Sequence, residues 1–223
     1  LSVIQGGIAM LDVFSLTFMM LSFWLYLRYN YPLSAVAVAL ATLIKLTGVL
    51  AMMVIILHWL IVRRTGTIHL IASLALAPLA FLLLMPPLEF AIYHHLTNFI
   101  SSIYVMLTQS ASLTFAFATT SQPILIESGQ LVMPQYRPWE IIMLPQIIPY
   151  YDNPHYFGTI SFTIWAFIIP AFIYTIFKSV KKNEAGLWGT LWFMSTYLIW
   201  IPIYLISNRI TYVYYFYPAV GAI

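Results

Sequence analysis

The sequence predicts an all-α, polytopic transmembrane helix bundle with one long outer-face loop. Three observations carry this. Of 223 residues, 62% are hydrophobic and 7% charged, with a mean hydropathy of +0.92, whereas a soluble domain carries about 25% charge. Four apolar runs have the length of a bilayer crossing, for which a helix needs about 20 residues. A stretch of 73 residues, 86–158, divides those runs into two groups, where connections usually take about 4–6 residues. The chain has no cysteine, so disulfide and thiol chemistry are excluded. It begins at Leu1 without a methionine and stops at Ile223 inside an apolar run, so it reads as an internal piece truncated at both ends.

The first run is Leu11–Leu27, followed by 68–85, 159–177 and 187–206, and a further run starts near Thr211. Each is expected to be helical, because lipid offers no partner to a backbone N–H or C=O. Residues 33–62 form the odd element: thirty apolar residues with one cation, Lys45. As a single rod they would extend about 45 Å at 1.5 Å per residue, well beyond a hydrocarbon core of roughly 30 Å. Two short helices turning near Lys45-Leu46-Thr47-Gly48 solve the length problem.

Charge sidedness favours the turn. With a hairpin, Arg28, Arg63, Arg64, Lys178, Lys181 and Lys182 fall on one face, which is six of the nine basic residues. Short cytoplasmic loops carry the excess of Lys and Arg, so this face is assigned as cytoplasmic. Asp12, Lys45, the long loop and Arg209 then share the opposite face. The expected organisation has three parts: 1–85, N-terminal transmembrane helices with a short hairpin around Lys45; 86–158, an outer loop with interfacial helices; and 159–223, C-terminal transmembrane helices. Within the loop, 88–110 is expected as an amphipathic interfacial helix, and 135–151 as irregular structure with a short helix.

Four charged residues stand out. Asp12 reads either as an N-cap of its helix or as a carboxylate at the mouth of an outer-face cavity. Lys45 reads either as a snorkelling side chain or as a partner for an anion; lysine at bilayer depth costs about 2.5–3.5 kcal/mol on lenient scales. Arg209 in "SNRITYVYYFYP" and Arg137 in "QYRPWE" are each interface residues or phosphate ligands, because a guanidinium fork matches a phosphate. Three cations on the face where positive charge is not expected suggest an anionic ligand, most simply a lipid phosphate. His94 and His95 are adjacent and point about 100° apart on a helix, and no HExxH is present, so no metal site is expected. No phosphate loop and no nucleic-acid patch is visible.

Several stretches resemble the dolichyl-phosphate-mannose protein mannosyltransferases of the GT-C class. "IAMLDVFSLTFMMLSFWLYLR" is similar to that family's helix opened by an acidic residue and closed by arginine. "ALATLIKLTGVL" resembles A-x-x-T-K-W-T-G-L, "YRPWEIIMLPQIIPYY" resembles S-R-P-W-x-W-P-L-x-x-R-P, and "NRITYVYYFYPAV" resembles P-R-x-x-F-x-Y-H-Y-x-P-A-V. The matches follow the family's order. Leu46 replaces an aromatic, Met143 or Leu144 stands near the second tryptophan, and Tyr215 replaces histidine.

The resemblance implies a GT-C-like bundle and an inverting glycosyltransferase. It would move a sugar, most simply mannose, from a polyprenyl (dolichyl) phosphate carrier to Ser or Thr hydroxyls of an acceptor protein on the outer face. No bound cofactor is implied; the lipid-linked sugar is the donor. Asp12 matches an acidic position near the site and is the catalytic candidate. Lys45 and Arg209 match basic positions near the carrier phosphate, and Arg137 is assigned to the phosphate with them; Trp139, Glu140 and Tyr215 are assigned to the substrate pocket. The acidic pair that activates the acceptor would precede Leu1, so this piece alone is expected to be inactive. The outer loop is too short for the β-trefoil domain of the fungal and animal enzymes, which implies an archaeal or bacterial plasma membrane. Two alternatives stand beside this: a GT-C transferase acting on a lipid or glycan, and a secondary transporter, for which paired inverted halves would be needed.

Overall fold

The computed structural model describes residues 11–62, 67–94, 101–105, 108, 136–145, 147–151, 156–159, 161–209, 211 and 213–222. The chain forms two compact units, 1–108 and 109–223. The boundary divides the expected outer loop between them. Among the described residues, three helices are long and apolar enough to cross a membrane: Thr67–Ala91, Phe162–Val180 and Glu184–Ser207. Leu11–Leu27, Tyr31–Ile44 and Leu46–Val62 are shorter apolar helices.

In the first unit, α1 (Leu11–Leu27) and α2 (Tyr31–Ile44) form an antiparallel pair. Tyr29, at φ 62°, turns the chain between them, and the Asn30 carboxamide accepts from Leu33 N–H at the start of α2. The pair packs closely because the α2 surface is small: Ala35, Ala37, Ala39 and Ala41 are each at most 2% exposed. Two serines stitch the backbones together. Ser15 Oγ donates to Ala41 O at 3.0 Å and Ser34 Oγ donates to Ser22 O at 2.8 Å.

α2 stops at Lys45, whose backbone is extended at φ −151° and ψ 130°. A short 3-10 turn, Leu46–Val49, leads into α3 (Leu50–Val62). The side-chain contacts establish which way the chain then runs. Lys45 meets Asp12 near the start of α1, and His58 Nδ1 on α3 lies 3.1 Å from Tyr26 Oη near the end of α1. Asp12 and Tyr26 stand 14 positions apart on one continuous helix, about 21 Å. The chain therefore reverses at Lys45 and retraces the depth of α1.

α4 (Thr67–Tyr93) packs on α2. It corrects two expectations. The run expected over 68–85 continues to Tyr93 with Pro78, Pro86 and Pro87 inside the helix. Residues 88–93 therefore belong to this helix, not to a separate interfacial one; 101–105 is helical, and the remainder of 95–110 apart from Thr108 lies outside the described residues. In apolar surroundings, ending a helix strands about four carbonyls. That outweighs the few bonds that proline forfeits.

The second unit contains a short helix α5 (Pro138–Met143), an antiparallel strand pair β1 (Ile147–Tyr151) and β2 (Tyr156–Thr159), and three further helices. Among the described residues, the strand pair and a β-bridge depart from helix and turn; β1 falls within 135–151, the segment expected to be irregular, and β2 lies beyond it. Ile147 pairs with Thr159, and the register shifts between Pro149 and Tyr151, as a residue lacking an N–H dictates. α6 (Phe162–Val180) packs on α7 (Glu184–Phe193), where Gly186 permits close approach: a Cβ there would meet Lys178 Cβ at 2.5 Å. α7 continues through a single π-helical stretch, Met194–Leu198, into α8 (Trp200–Ser207). Asn208 ends α8 in the left-handed conformation at φ 54°. The last expected run is a 3-10 helix, Val213–Ala222, packed against α7.

Candidate functional site

In the first unit the site is an ion pair at a chain reversal. Asp12 lies in the first turn of α1, where a carboxylate complements the helix dipole. It is not the N-cap residue, because Leu11 before it is already helical. Its Oδ1 lies 2.5 Å from Lys45 Nζ, and the two side chains are 6% and 20% exposed. The ammonium is thus directed to a carboxylate, where snorkelling would have taken it into solvent.

The reversal fixes the pair from the backbone upward. Lys45 N–H donates to Ala41 O at 3.0 Å, closing α2, and Lys45 O accepts from Gly48 N–H at 2.8 Å, opening the 3-10 turn. The turn lies directly on the end of α2. A Cβ on Gly48 would stand 2.4 Å from the Ala41 carbonyl carbon, so only glycine fits.

At the other end of α1, Tyr26 and His58 are each 0% exposed and meet edge to face with ring centroids 5.7 Å apart. Sequence reasoning did not single them out. Nothing in the isolated "WLYLR" or "ILHWL" stretches says that the two would meet.

In the second unit, Tyr136 and Thr211 form an antiparallel bridge. Tyr136 N–H donates to Thr211 O at 3.2 Å, and Thr211 N–H donates to Tyr136 O at 3.1 Å. This joins the chain segments that carry Arg137 and Arg209. α5 is held from the other side, where Tyr197 Oη donates to Pro138 O at 2.5 Å. Tyr197 comes from the π-helical stretch, a distortion that often marks a functional site. Burial, and secondarily the charge of Glu140, push the Tyr136 phenol above its usual value.

The predicted residues take different parts here. Glu140 accepts from Arg137 N–H at 2.8 Å, capping α5, and its other oxygen lies 3.9 Å from Arg137 Nε. Arg137 is exposed and sits over the Trp139 ring at 5.9 Å. Trp139 meets Tyr204 edge to face at 5.1 Å. Arg209 lies over the Trp200 ring at 5.5 Å and donates from Nη2 to Tyr215 Oη at 3.3 Å. Tyr215 is buried and stacks on Trp200 at 4.5 Å with an interplanar angle of 19°. Among the described residues, Arg209 has no carboxylate partner.

No group of three or more His, Cys, Asp or Glu side chains suited to a metal ion occurs among the described residues. No protein-family model matches the sequence, and no curated protein or solved structure matches it.

Proposed function

We propose that this chain is part of a membrane-embedded inverting glycosyltransferase. It moves a sugar, most simply mannose, from a polyprenyl-phosphate carrier to Ser or Thr hydroxyls of a protein on the outer face. The observation that carries this reading is the Asp12–Lys45 pair: a nearly enclosed ammonium held at a chain reversal in apolar surroundings. Holding a charge there is costly unless it is paired. A lysine with three donors can keep its carboxylate partner and still face a phosphate oxygen.

The chemistry follows from that arrangement. The acceptor oxygen attacks the anomeric carbon from the side opposite the carrier, the carbon–oxygen bond to phosphate breaks, and the acceptor proton passes to a base. Negative charge grows on the departing phosphate, and a preorganised cation is worth most at that moment. Lys45 supplies it. Asp12 acts through Lys45, keeping the ammonium charged and fixed. In the second unit Arg209 and Arg137 are cations of the same class, Trp139 offers ring surface for a sugar, Tyr215 backs the pocket by accepting from Arg209, and Glu140 serves by holding α5. The ordered resemblance of four segments to the protein mannosyltransferases supports the sugar-transfer assignment. The shortness of 86–158 supports an archaeal or bacterial plasma membrane.

The test is transfer by the intact protein in detergent, with polyprenyl-phosphate mannose and a Ser/Thr-containing peptide. The expected product is a mannosyl peptide whose anomeric configuration is opposite to that of the donor. Retention of the anomeric configuration, or absence of transfer, would overturn the proposal.

A further inference from the structure

Arg209 and Thr211 share an anomaly. Among the described residues, Arg209 Nε is buried and has no hydrogen-bond partner, and the same is true of Thr211 Oγ1. Thr211 is 1% exposed. Buried donors are nearly always satisfied, so each exception calls for a reason. These two lie two positions apart, both at bridge positions of extended chain, and residues i and i+2 of an extended strand face the same side. The backbone around them is fixed by the Tyr136–Thr211 bridge. The wall is fixed as well: Arg209 is held on Trp200, and Trp200 is stacked on Tyr215. The site therefore presents one cationic and one neutral donor, both lacking an acceptor among the described residues, beside a rigid aromatic surface.

We propose that Arg209 Nε–H and the Thr211 hydroxyl form a two-donor subsite for a phosphate oxyanion. Thr211 is a further binding residue, and its hydroxyl donates to the oxyanion while Arg209 supplies the charge. Identifying that oxyanion as a lipid phosphate rests on the function proposed above; the two-donor site itself does not.

The experiment measures binding of farnesyl phosphate, inorganic phosphate and farnesol to the intact protein, together with its melting temperature without ligand. Thr211→Val removes the hydroxyl at nearly constant shape. It is expected to weaken both phosphates by about tenfold, the weight of one charge-assisted hydrogen bond, and to leave farnesol unchanged. Without ligand its melting temperature should equal or exceed that of the parent, since an unsatisfied hydroxyl has been removed. Thr211→Ser should retain binding, and Arg209→Lys, which keeps the charge but loses Nε–H, should weaken it. Binding of inorganic phosphate alone, with the same losses, supports the subsite and overturns the carrier. Farnesyl phosphate bound equally by Thr211→Val overturns the subsite and leaves the carrier standing. A lower melting temperature for Thr211→Val overturns the subsite, because the hydroxyl would then have a structural partner. Binding of neither phosphate overturns both.

Discussion

Lys45 and Asp12, 33 positions apart, meet through a 2.5 Å contact between ammonium and carboxylate. The contact joins the first turn of α1 to the residue at which the chain reverses, so one pair determines both a local charge balance and the path of three helices.

Removing one partner of this pair leaves the other charge enclosed. Asp12→Ala is expected to destabilise the protein by about 3–5 kcal/mol. The double variant Asp12→Leu with Lys45→Met should recover most of that loss, because apolar side chains of similar volume replace an enclosed pair at little cost. Thermal unfolding of the single and double variants in detergent checks this. Equal destabilisation by all of them would mean that the pair's charge balance is not what matters.

Gly48 is the position at which a single methyl group reaches furthest. Its Cβ would stand 2.4 Å from the Ala41 backbone, and no side chain can yield there. Gly48→Ala is expected to cost about 1–3 kcal/mol through overpacking and to displace Lys45 from Asp12. Melting temperature reads the first effect. The second appears as a loss of the coupling between Asp12 and Lys45 in a double-mutant cycle.

How far these features were legible differs from one to the next. The apolar runs stand out because lipid leaves the backbone no alternative to helix, and the thirty residues of 33–62 are too long for one crossing. Helix ends were harder. Pro86-Pro87 looks like a stop, yet α4 passes through it to Tyr93, because proline rules learned in water underestimate what an unpaired carbonyl costs in lipid. Asp12 and Lys45 were conspicuous as isolated charges, but their meeting depends on the packing of α1 against α2, which no local pattern encodes. Tyr197 was invisible among the 16 tyrosines of the chain. Its role comes from a π-helical stretch that re-aims it at Pro138.

That role is itself testable. Tyr197→Phe leaves the Pro138 carbonyl without its buried donor, at an expected cost of about 1–3 kcal/mol. Hydrogen exchange should report the loss locally, as faster exchange of the α5 amides with α7 unchanged. Unaltered protection of α5 would show that Tyr197 does not hold it.

The second unit should also weaken in alkali. The Tyr136 phenol is held neutral in the folded chain by burial and by the nearby Glu140 charge. Its folded-state pKa lies above the unfolded value of about 10, so the unfolded chain releases the proton first. The stabilisation is fully present below pH about 10 and is lost as pH rises through the folded-state value. Tyr136→Phe should remove this part of the alkaline limb of a stability–pH curve. A curve identical to the parent above that pH would show that Tyr136 makes no contribution.

Carrier affinity in a Lys45 variant tests the central claim most directly. Binding of a polyprenyl phosphate to the intact protein in nanodiscs should fall by at least about tenfold in Lys45→Met, equivalent to about 1.4 kcal/mol, with binding of the corresponding polyprenol unchanged. Parental affinity for the phosphate in a folded Lys45→Met protein would contradict it.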